Sequence, residues 1–413
     1  MEFDNFFRMV KAMERLKVLF ITYAYPPLKY PRSFQISHLV QFLRKNIDIS
    51  VMAHRPDANL DLSSLQFTPL DNVYYPKKTH LTALFDKIGG HRIKSNCFAD
   101  TFYPQCRELY ISSRKLFLQQ NYHSIITFGQ PMSVHIAGLK LKKKDPHVHW
   151  VAHFSDPWVD NPYTRANPWV QYLNQRYQNL VFNNADVLLF TSPETIDLVM
   201  KNYTSAVRKK AIYLPHSFNS DLYPSELPMG GQTLIRHLGN FYGARQPETF
   251  FQALQILKSR NCLPSSFKVE FIGADNSYNE KIREKNIEDI VVIKPSIGYL
   301  DSLKLMAQSH MLLLIDAPME LSPFFPSKLA DYIGSNRPIF GITPSGTSKR
   351  IIEEMGFLVA HPNNPEEIAD QFLKMLTLVR KCTLKSIPDS IRNLYSVSTV
   401  GKQVSDILHD IVG

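Results

Sequence analysis

The sequence predicts an α/β protein made of two doubly wound parallel sheets, and three observations predict it. Short continuous apolar runs of the kind buried on both faces of a parallel sheet alternate with helical stretches along nearly the whole chain. The alternation breaks once, between Pro215 and Gly231, where Ser217, Asn219, Ser220, Pro224, Pro228, Gly230 and Gly231 have the composition of a linker. A length of 413 residues, 44% hydrophobic and 20% charged, suffices for two cores. The expected domains are residues 15–215 and 216–395, with a terminal helix at about 396–413 packing back on the first.

Met1 to Arg15 carries no periodic pattern and is expected to be frayed, with Met13 an alternative start. The run Lys17 to Thr22 reads as a strand. It enters a loop at Tyr25-Pro26-Pro27, and a helix follows at Phe34 to Leu43, where Phe34, Leu39, Phe42 and Leu43 form a stripe. A strand at Ile47 to Met52 completes a βαβ unit. From Arg55 to about Asp100 the periodicity is poor, which predicts an irregular insertion with one or two short helices. Order returns with helices at Glu108 to Gln119, Met132 to Lys143, Pro168 to Phe182 and Pro193 to Lys201. Between and after them lie strands at Ser124 to Phe128, Val148 to Ala152, Asp186 to Phe190 and Ala211 to Leu214.

Beyond the linker the strands are Leu234 to Leu238, Phe267 to Ile272, Ile290 to Ile293, Met311 to Ile315, Pro338 to Ile342 and Leu358 to Ala360. Helices at Pro247 to Lys258, Asn279 to Lys285, Leu300 to Gln308, Ser327 to Gly334 and Ser348 to Glu354 separate them. Further helices near Glu366 to Val379 and Thr399 to Ile411 end the chain. Two such domains facing each other across a cleft would bind ligands at the carboxyl ends of their strands.

Pro323 to Gly341 is the most informative stretch. Strand Met311 to Ile315 is closed by Asp316, Pro326 and Ser327 open a helix, Leu329, Tyr332 and Ile333 share its inner face, and Asn336 ends it. A helix start of this kind presents unpaired N–H groups at the positive end of the helix dipole, which suits a phosphate. Lys328 in the first turn opposes that dipole unless an anion lies beside it, so a diphosphate is the expected ligand. The other reading of Lys328 is a solvated helix residue.

The net charge of +10 admits an anionic small molecule, an anionic membrane surface or nucleic acid as partner. Nothing resembles a zinc finger, a homeodomain or an aromatic RNA-binding signature, so nucleic acid is not expected. Lys140, Lys142, Lys143 and Lys144 read as the solvated end of a helix, where cations suit the dipole. No apolar run approaches the ~20 residues that span a bilayer. The four cysteines, Cys97, Cys106, Cys262 and Cys382, form no C-x-x-C pair and no secretory leader is seen. Together these predict reduced thiols used in packing and a cytoplasmic protein.

Several motifs in order carry a resemblance. They are Tyr25-Pro26-Pro27, Phe154-Ser155-Asp156-Pro157-Trp158, Ala185 to Ser192, Pro215-His216-Ser217-Phe218-Asn219, His237 to Tyr242, Pro326-Ser327-Lys328, Asp331-Tyr332 and Arg337-Pro338. Together they resemble the retaining glycosyltransferases of the GT-B fold, nearest the group-four family that builds bacterial polysaccharides. The likeness runs from about Leu16 to the end of the chain. It implies two Rossmann-like domains facing across a cleft and a nucleotide-diphosphate sugar, UDP- or GDP-linked, held mainly by the second. It also implies a glycan or lipid-linked acceptor held mainly by the first, and transfer without a metal or other cofactor; basic residues on the first domain would hold the protein at the inner face of an anionic membrane, where a lipid-linked acceptor waits.

Residue by residue, the resemblance places Asp331 at the second acid of the E-x7-E motif, the one that hydrogen-bonds the nucleotide ribose. The first acid would fall at Pro323, and Glu320 is its expected substitute. Arg245 matches the second member of a basic pair that neutralises the diphosphate, while the first falls near Asn240, which is uncharged. Nucleotide-sugar contacts are thus expected at Asn240, Arg245, Glu320, Ser327, Lys328, Leu329 and Asp331, with Arg245 and Lys328 stabilising the departing diphosphate. The family's glycine pair after the first strand is absent, so Lys29 or Arg32 is expected to make that contact by side chain. His153 and Asp156, expected just past the strand Val148 to Ala152, would orient the acceptor hydroxyl, with Trp158 beside them as a packing residue. Two alternatives remain on sequence grounds: a nucleotide-sugar epimerase of the same fold, and a sugar-nucleotide-binding protein without turnover.

Overall fold

The computed structural model describes residues 15–77, 95–163, 166–224, 231–264, 266–381 and 386–413. The fraying expected before Arg15 lies outside them, as do residues 78–94 of the insertion. The chain divides into two compact units, one of residues up to Leu60, Leu65–Leu214 and Val400–Gly413, the other of Asp61–Ser64 and Pro215–Thr399.

The first unit is built on seven parallel strands in the order β3-β2-β1-β4-β5-β6-β7. They are β1 (Lys17–Thr22), β2 (Asp48–Ala53), β3 (Val73–Tyr74), β4 (Ser124–Phe128), β5 (His149–Phe154), β6 (Val187–Phe190) and β7 (Ala211–Tyr213). The side chains of β1, β4 and β6 are buried almost throughout, as a sheet covered on both faces requires, while those of the edge strands β3 and β7 are half-buried. Helices α1 (Pro31–Leu43), α2 (Tyr103–Gln120), α3 (Ser133–Lys144), α4 (Pro168–Asn184) and α5 (Pro193–Met200) supply the covering. Asn167 and Ser192 cap α4 and α5 by accepting from Val170 N and Thr195 N, and proline stands at the start of both helices. One face of the sheet carries Trp150, Phe154, Phe182 and Phe190. The other carries Phe20, Phe128 and Val151 together with Val400, Val404 and Leu408 of the terminal helix Val397–Val412.

Several expectations need correction here. Strand β5 runs two residues further than the apolar run suggested, so His153 lies within it rather than past it. The insertion contributes an ordered edge strand, with Val73 paired to Val51. Of the lysine cluster, Lys142 is not merely solvated, since its Nζ bonds Asp186 at 2.9 Å and Val148 O at 2.7 Å. Among the described cysteines only Cys106 is buried; Cys97 and Cys262 are exposed, and Cys382 lies outside the described residues. The supposed linker is packed at its start, with Pro215, His216, Ser217, Phe218 and Asn219 all buried, and Phe218 N and O pair with Tyr395 O and Val397 N. Residues 225–230 of it lie outside the described residues.

The second unit has six parallel strands in the order β10-β9-β8-β11-β13-β15. They are β8 (Thr233–Leu238), β9 (Phe267–Ile272), β10 (Val291–Lys294), β11 (Met311–Ile315), β13 (Ile339–Ile342) and β15 (Val359–Ala360). A separate pair joins β12 (Leu321–Ser322) to β14 (Ser345–Gly346), where Gly346, at φ +125°, leaves no room for a Cβ beside the Ser322 carbonyl. The helices are α6 (Glu248–Ser259), α7 (Tyr278–Glu284), α8 (Tyr299–Ala307), α9 (Ser327–Gly334), α10 (Thr347–Glu354) and α11 (Pro365–Arg380). Phe250, Phe271, Phe340 and Phe372 interlock edge to face beneath α6 and α11. Helix α9 buries Leu329, Tyr332 and Ile333 completely and is closed by Asn336 at φ +55°, as its sequence pattern predicts.

Candidate functional site

In each sheet the strand order reverses at one place, between β1 and β4 in the first unit and between β8 and β11 in the second. Crossover helices leave such a point in opposite directions, which opens a crevice beyond the strand carboxyl ends. In the second unit β8 is followed there by Gly239 and β11 by Asp316.

Three charged side chains collect at this point. Arg245 donates from Nη2 to Asp316 Oδ1 at 2.8 Å and from Nη1 to the Tyr242 hydroxyl at 2.9 Å, and its guanidinium lies over the Tyr242 ring. Both members of the ion pair are buried. Lys328, in the first turn of α9, reaches back so that Nζ is 3.3 Å from His237 Nε2. A Cβ on residue 239 would stand 2.9 Å from that Nζ, and Gly239 has φ +111°. Glycine here therefore satisfies both the backbone and the approach of the lysine.

The environment of Lys328 disfavours its charge. Burial, and secondly Arg245, pull its pKa from the ordinary lysine value to about 7, against the opposing pull of Asp316. His237 is held neutral, far below its usual value, by burial and then by Lys328 and Arg245. An anion beside Nζ would favour the charged form of the lysine.

The other predicted contacts fall around this cluster unevenly. Ser327 is half-buried in the first turn of α9, and Asn240 is exposed, with Oδ1 accepting from Phe241 N at 2.8 Å. Glu320 is exposed in the loop before β12, and Pro323 is buried. Leu329 as a ligand contact is corrected: its side chain is fully buried and its N–H is bonded to Pro326 O at 2.9 Å. Asp331 is buried on the inner side of α9, where Oδ1 accepts from the Tyr299 hydroxyl at 2.8 Å. Burial raises its pKa to about 7 despite the Tyr299 bond.

His153 and Asp156 belong to the first unit, at the carboxyl end of β5. Arg32, near the start of α1, is buried, lies over the Phe128 ring and places Nη2 2.7 Å from His153 Nδ1. A guanidinium only donates, so Nδ1 accepts and the neutral ring carries its proton on Nε2. Asp156 Oδ2 accepts from Gln130 Nε2 at 2.7 Å. Burial lowers the Arg32 pKa to about 10, and Asp156 offsets part of that. Trp158 is buried with its indole N–H on Asn174 Oδ1 at 3.1 Å, a packing residue as expected.

His237 and Tyr299, beside Lys328 and Asp331, are not among the expected contacts. His237 had a signal, a polar residue inside a strand buried on both faces; Tyr299 had none, because tyrosines at helix starts are common core residues.

The architecture matches solved structures over nearly its whole length. Sucrose-phosphate synthase from Thermosynechococcus elongatus is 13% identical with a TM-score of 0.70, covering 96% of this chain and 99% of that one. Anabaena HepE in complex with UDP is 13% identical with a TM-score of 0.67, covering 96% and 100%. The chain has the GT-B fold. A UDP-N-acetylglucosamine 2-epimerase is also similar, at 14% identity and TM-score 0.61, covering 96% of both chains. No protein-family model and no curated protein sequence matches the chain. Among the described residues no group of three or more His, Cys, Asp or Glu side chains is placed to hold a metal ion, and no helix is long and apolar enough to cross a membrane.

Proposed function

We propose that the protein is a retaining glycosyltransferase, moving a sugar from a UDP- or GDP-linked donor to a hydroxyl of a glycan or lipid-linked acceptor in cell-surface polysaccharide synthesis. The observation that carries this reading is the pair of cations, Lys328 and Arg245, gathered at the switch point of the second sheet beside the start of α9. The bond from sugar to diphosphate breaks as negative charge grows on the departing phosphate, and Lys328 and Arg245 meet that charge. Ser327 adds a donor at the helix start, and the exposed Asn240 and Glu320 are further contacts to the donor in this reading. Asp331, with Oδ1 engaged by Tyr299, offers Oδ2 to a ribose hydroxyl.

The new glycosidic bond forms on the face the diphosphate leaves, and the acceptor proton passes to the departing phosphate oxygen. No strong base is then required, which suits a His153 whose Nδ1 is occupied by Arg32 and whose Nε2–H is a donor. His153 and Asp156 orient the acceptor. The positive net charge supports work at the inner face of an anionic membrane, where a lipid-linked acceptor resides.

A second reading, nucleotide-sugar epimerisation, is favoured by the likeness to the 2-epimerase. Incubating the protein with UDP- and GDP-sugars, with and without lipid-linked and soluble glycan acceptors, separates the two. Nucleoside diphosphate released only when acceptor is present supports transfer. Interconverted sugar from donor alone supports the epimerase, and binding without turnover on any acceptor leaves a binding protein.

A further inference from the structure

We infer that His237 is a positioning residue for the diphosphate site: its Nε2 lone pair fixes the Lys328 ammonium at the carboxyl end of β8 before any ligand arrives. The inference rests on the reading that Lys328 meets a diphosphate, and concerns how the lysine is held there.

Three independent contacts fix the ring. Its Nδ1 lies 2.9 Å from the Leu313 carbonyl, which can only accept, so Nδ1 carries the proton and Nε2 bears the lone pair. The ring stacks on Phe241 with centroids 4.5 Å apart and planes at 14°, and Phe271 closes a second side at 5.7 Å. Lys328 Nζ lies 3.3 Å from Nε2, in the space that Gly239 leaves by lacking a Cβ. The helix carrying Lys328 is registered against the same strands, since one turn on the Tyr332 hydroxyl accepts from Leu238 N at 3.0 Å.

This arrangement does something that a packed core histidine does not. A lysine side chain has a large rotamer entropy, and holding it in advance removes that ordering cost from ligand binding. One ammonium hydrogen faces Nε2, leaving two for phosphate oxygens. Asp316, whose Oδ2 has no partner among the described residues, is the competing acceptor for Lys328, and the neutral histidine keeps the ammonium from being spent on it.

The test is titration calorimetry of the full chain with inorganic pyrophosphate, UDP, GDP and the bare nucleosides. Substituting His237→Phe keeps an aromatic ring for Phe241 and removes the lone pair; His237→Gln offers an amide oxygen in its place. We expect H237F to weaken pyrophosphate and nucleoside diphosphate binding about tenfold, the scale of one hydrogen bond to a charged group, with nucleoside binding unchanged. H237Q should recover part of the loss, and H237F should add nothing in a Lys328→Ala background. Equal weakening of nucleosides and diphosphates, or additive losses in H237F/K328A, would overturn the inference, as would wild-type affinity in both His237 variants. If wild-type protein binds no nucleoside diphosphate and no pyrophosphate, the proposed function fails as well. If H237F does not fold, H237Q decides, since a folded H237Q with the losses of K328A contradicts the lone-pair role.

Discussion

The Arg245 guanidinium is ion-paired to the Asp316 carboxylate, Nη2 to Oδ1 at 2.8 Å, with both side chains buried. A buried pair gains little over an apolar replacement, but removal of one partner strands the other. Asp316→Ala should therefore lower unfolding free energy by about 3 kcal/mol, read from denaturant melts. The same change removes the carboxylate that neutralises Arg245, so pyrophosphate affinity in the folded variant should rise.

The depressed Lys328 pKa gives a signed expectation. The folded pKa lies near 7 and the unfolded one at the ordinary lysine value, so the folded state binds fewer protons between them. The cost of charging is fully present below pH 7 and is relieved as pH rises through alkaline values. Lys328→Met, lacking the charge, should be more stable than wild type at pH 6, with the gap narrowing toward pH 10. Diphosphate binding at pH 8 should take up a proton, detected by calorimetry in buffers of different ionisation enthalpy, and K328M should abolish the uptake. His237, Arg245 and Asp316 are the titratable and charged groups that face the Lys328 ammonium.

Asp331 carries the opposite linkage. Its folded pKa is raised to about 7 by burial, so between the unfolded carboxylate value and pH 7 the folded state holds the extra proton. Stability from this group falls as pH rises across that window and is level above it. Asp331→Asn should flatten the stability profile between about pH 4 and pH 7, in thermal melts across that range, and raise the melting temperature at pH 7.5.

Gly239 is constrained twice, by φ +111° and by Lys328 Nζ at 2.9 Å from a Cβ. Gly239→Ala should destabilise by about 1–2 kcal/mol and also reduce diphosphate affinity. Gly243→Ala, at φ +59° with open space around it, should destabilise to a similar degree and leave affinity unchanged. Paired melts and titrations separate the two.

The fold was legible because parallel strands buried on both faces read as near-continuous apolar runs, as Val18 to Ile21 of β1 and Met311 to Ile315 of β11 do. Helix α9 was legible for a second reason: proline before it and Asn336 after it mark ends that only certain backbones tolerate. The site was legible only in part. Lys328 stood out because a cation in a first helical turn needs an explanation, and Arg245 came from the resemblance. The end of β5 was set two residues early, at Ala152 instead of Phe154, which put His153 just past the strand and not within it. His237 was hidden because its partners, Leu313 and Lys328, are 76 and 91 residues away in the chain. Asp331 was placed on the right helix, but its burial against Tyr299 depends on tertiary packing that no local pattern encodes.

The central claim is that Lys328 and Arg245 grip a nucleoside diphosphate in the second unit. A thermal-shift panel of nucleoside mono- and diphosphates tests it most directly, since ligand binding to the folded form alone raises its stability by RT ln(1 + [L]/Kd). The account predicts a rise with UDP or GDP that exceeds the monophosphate response and is lost in both Lys328→Ala and Arg245→Ala. An undiminished diphosphate shift in both variants would contradict it.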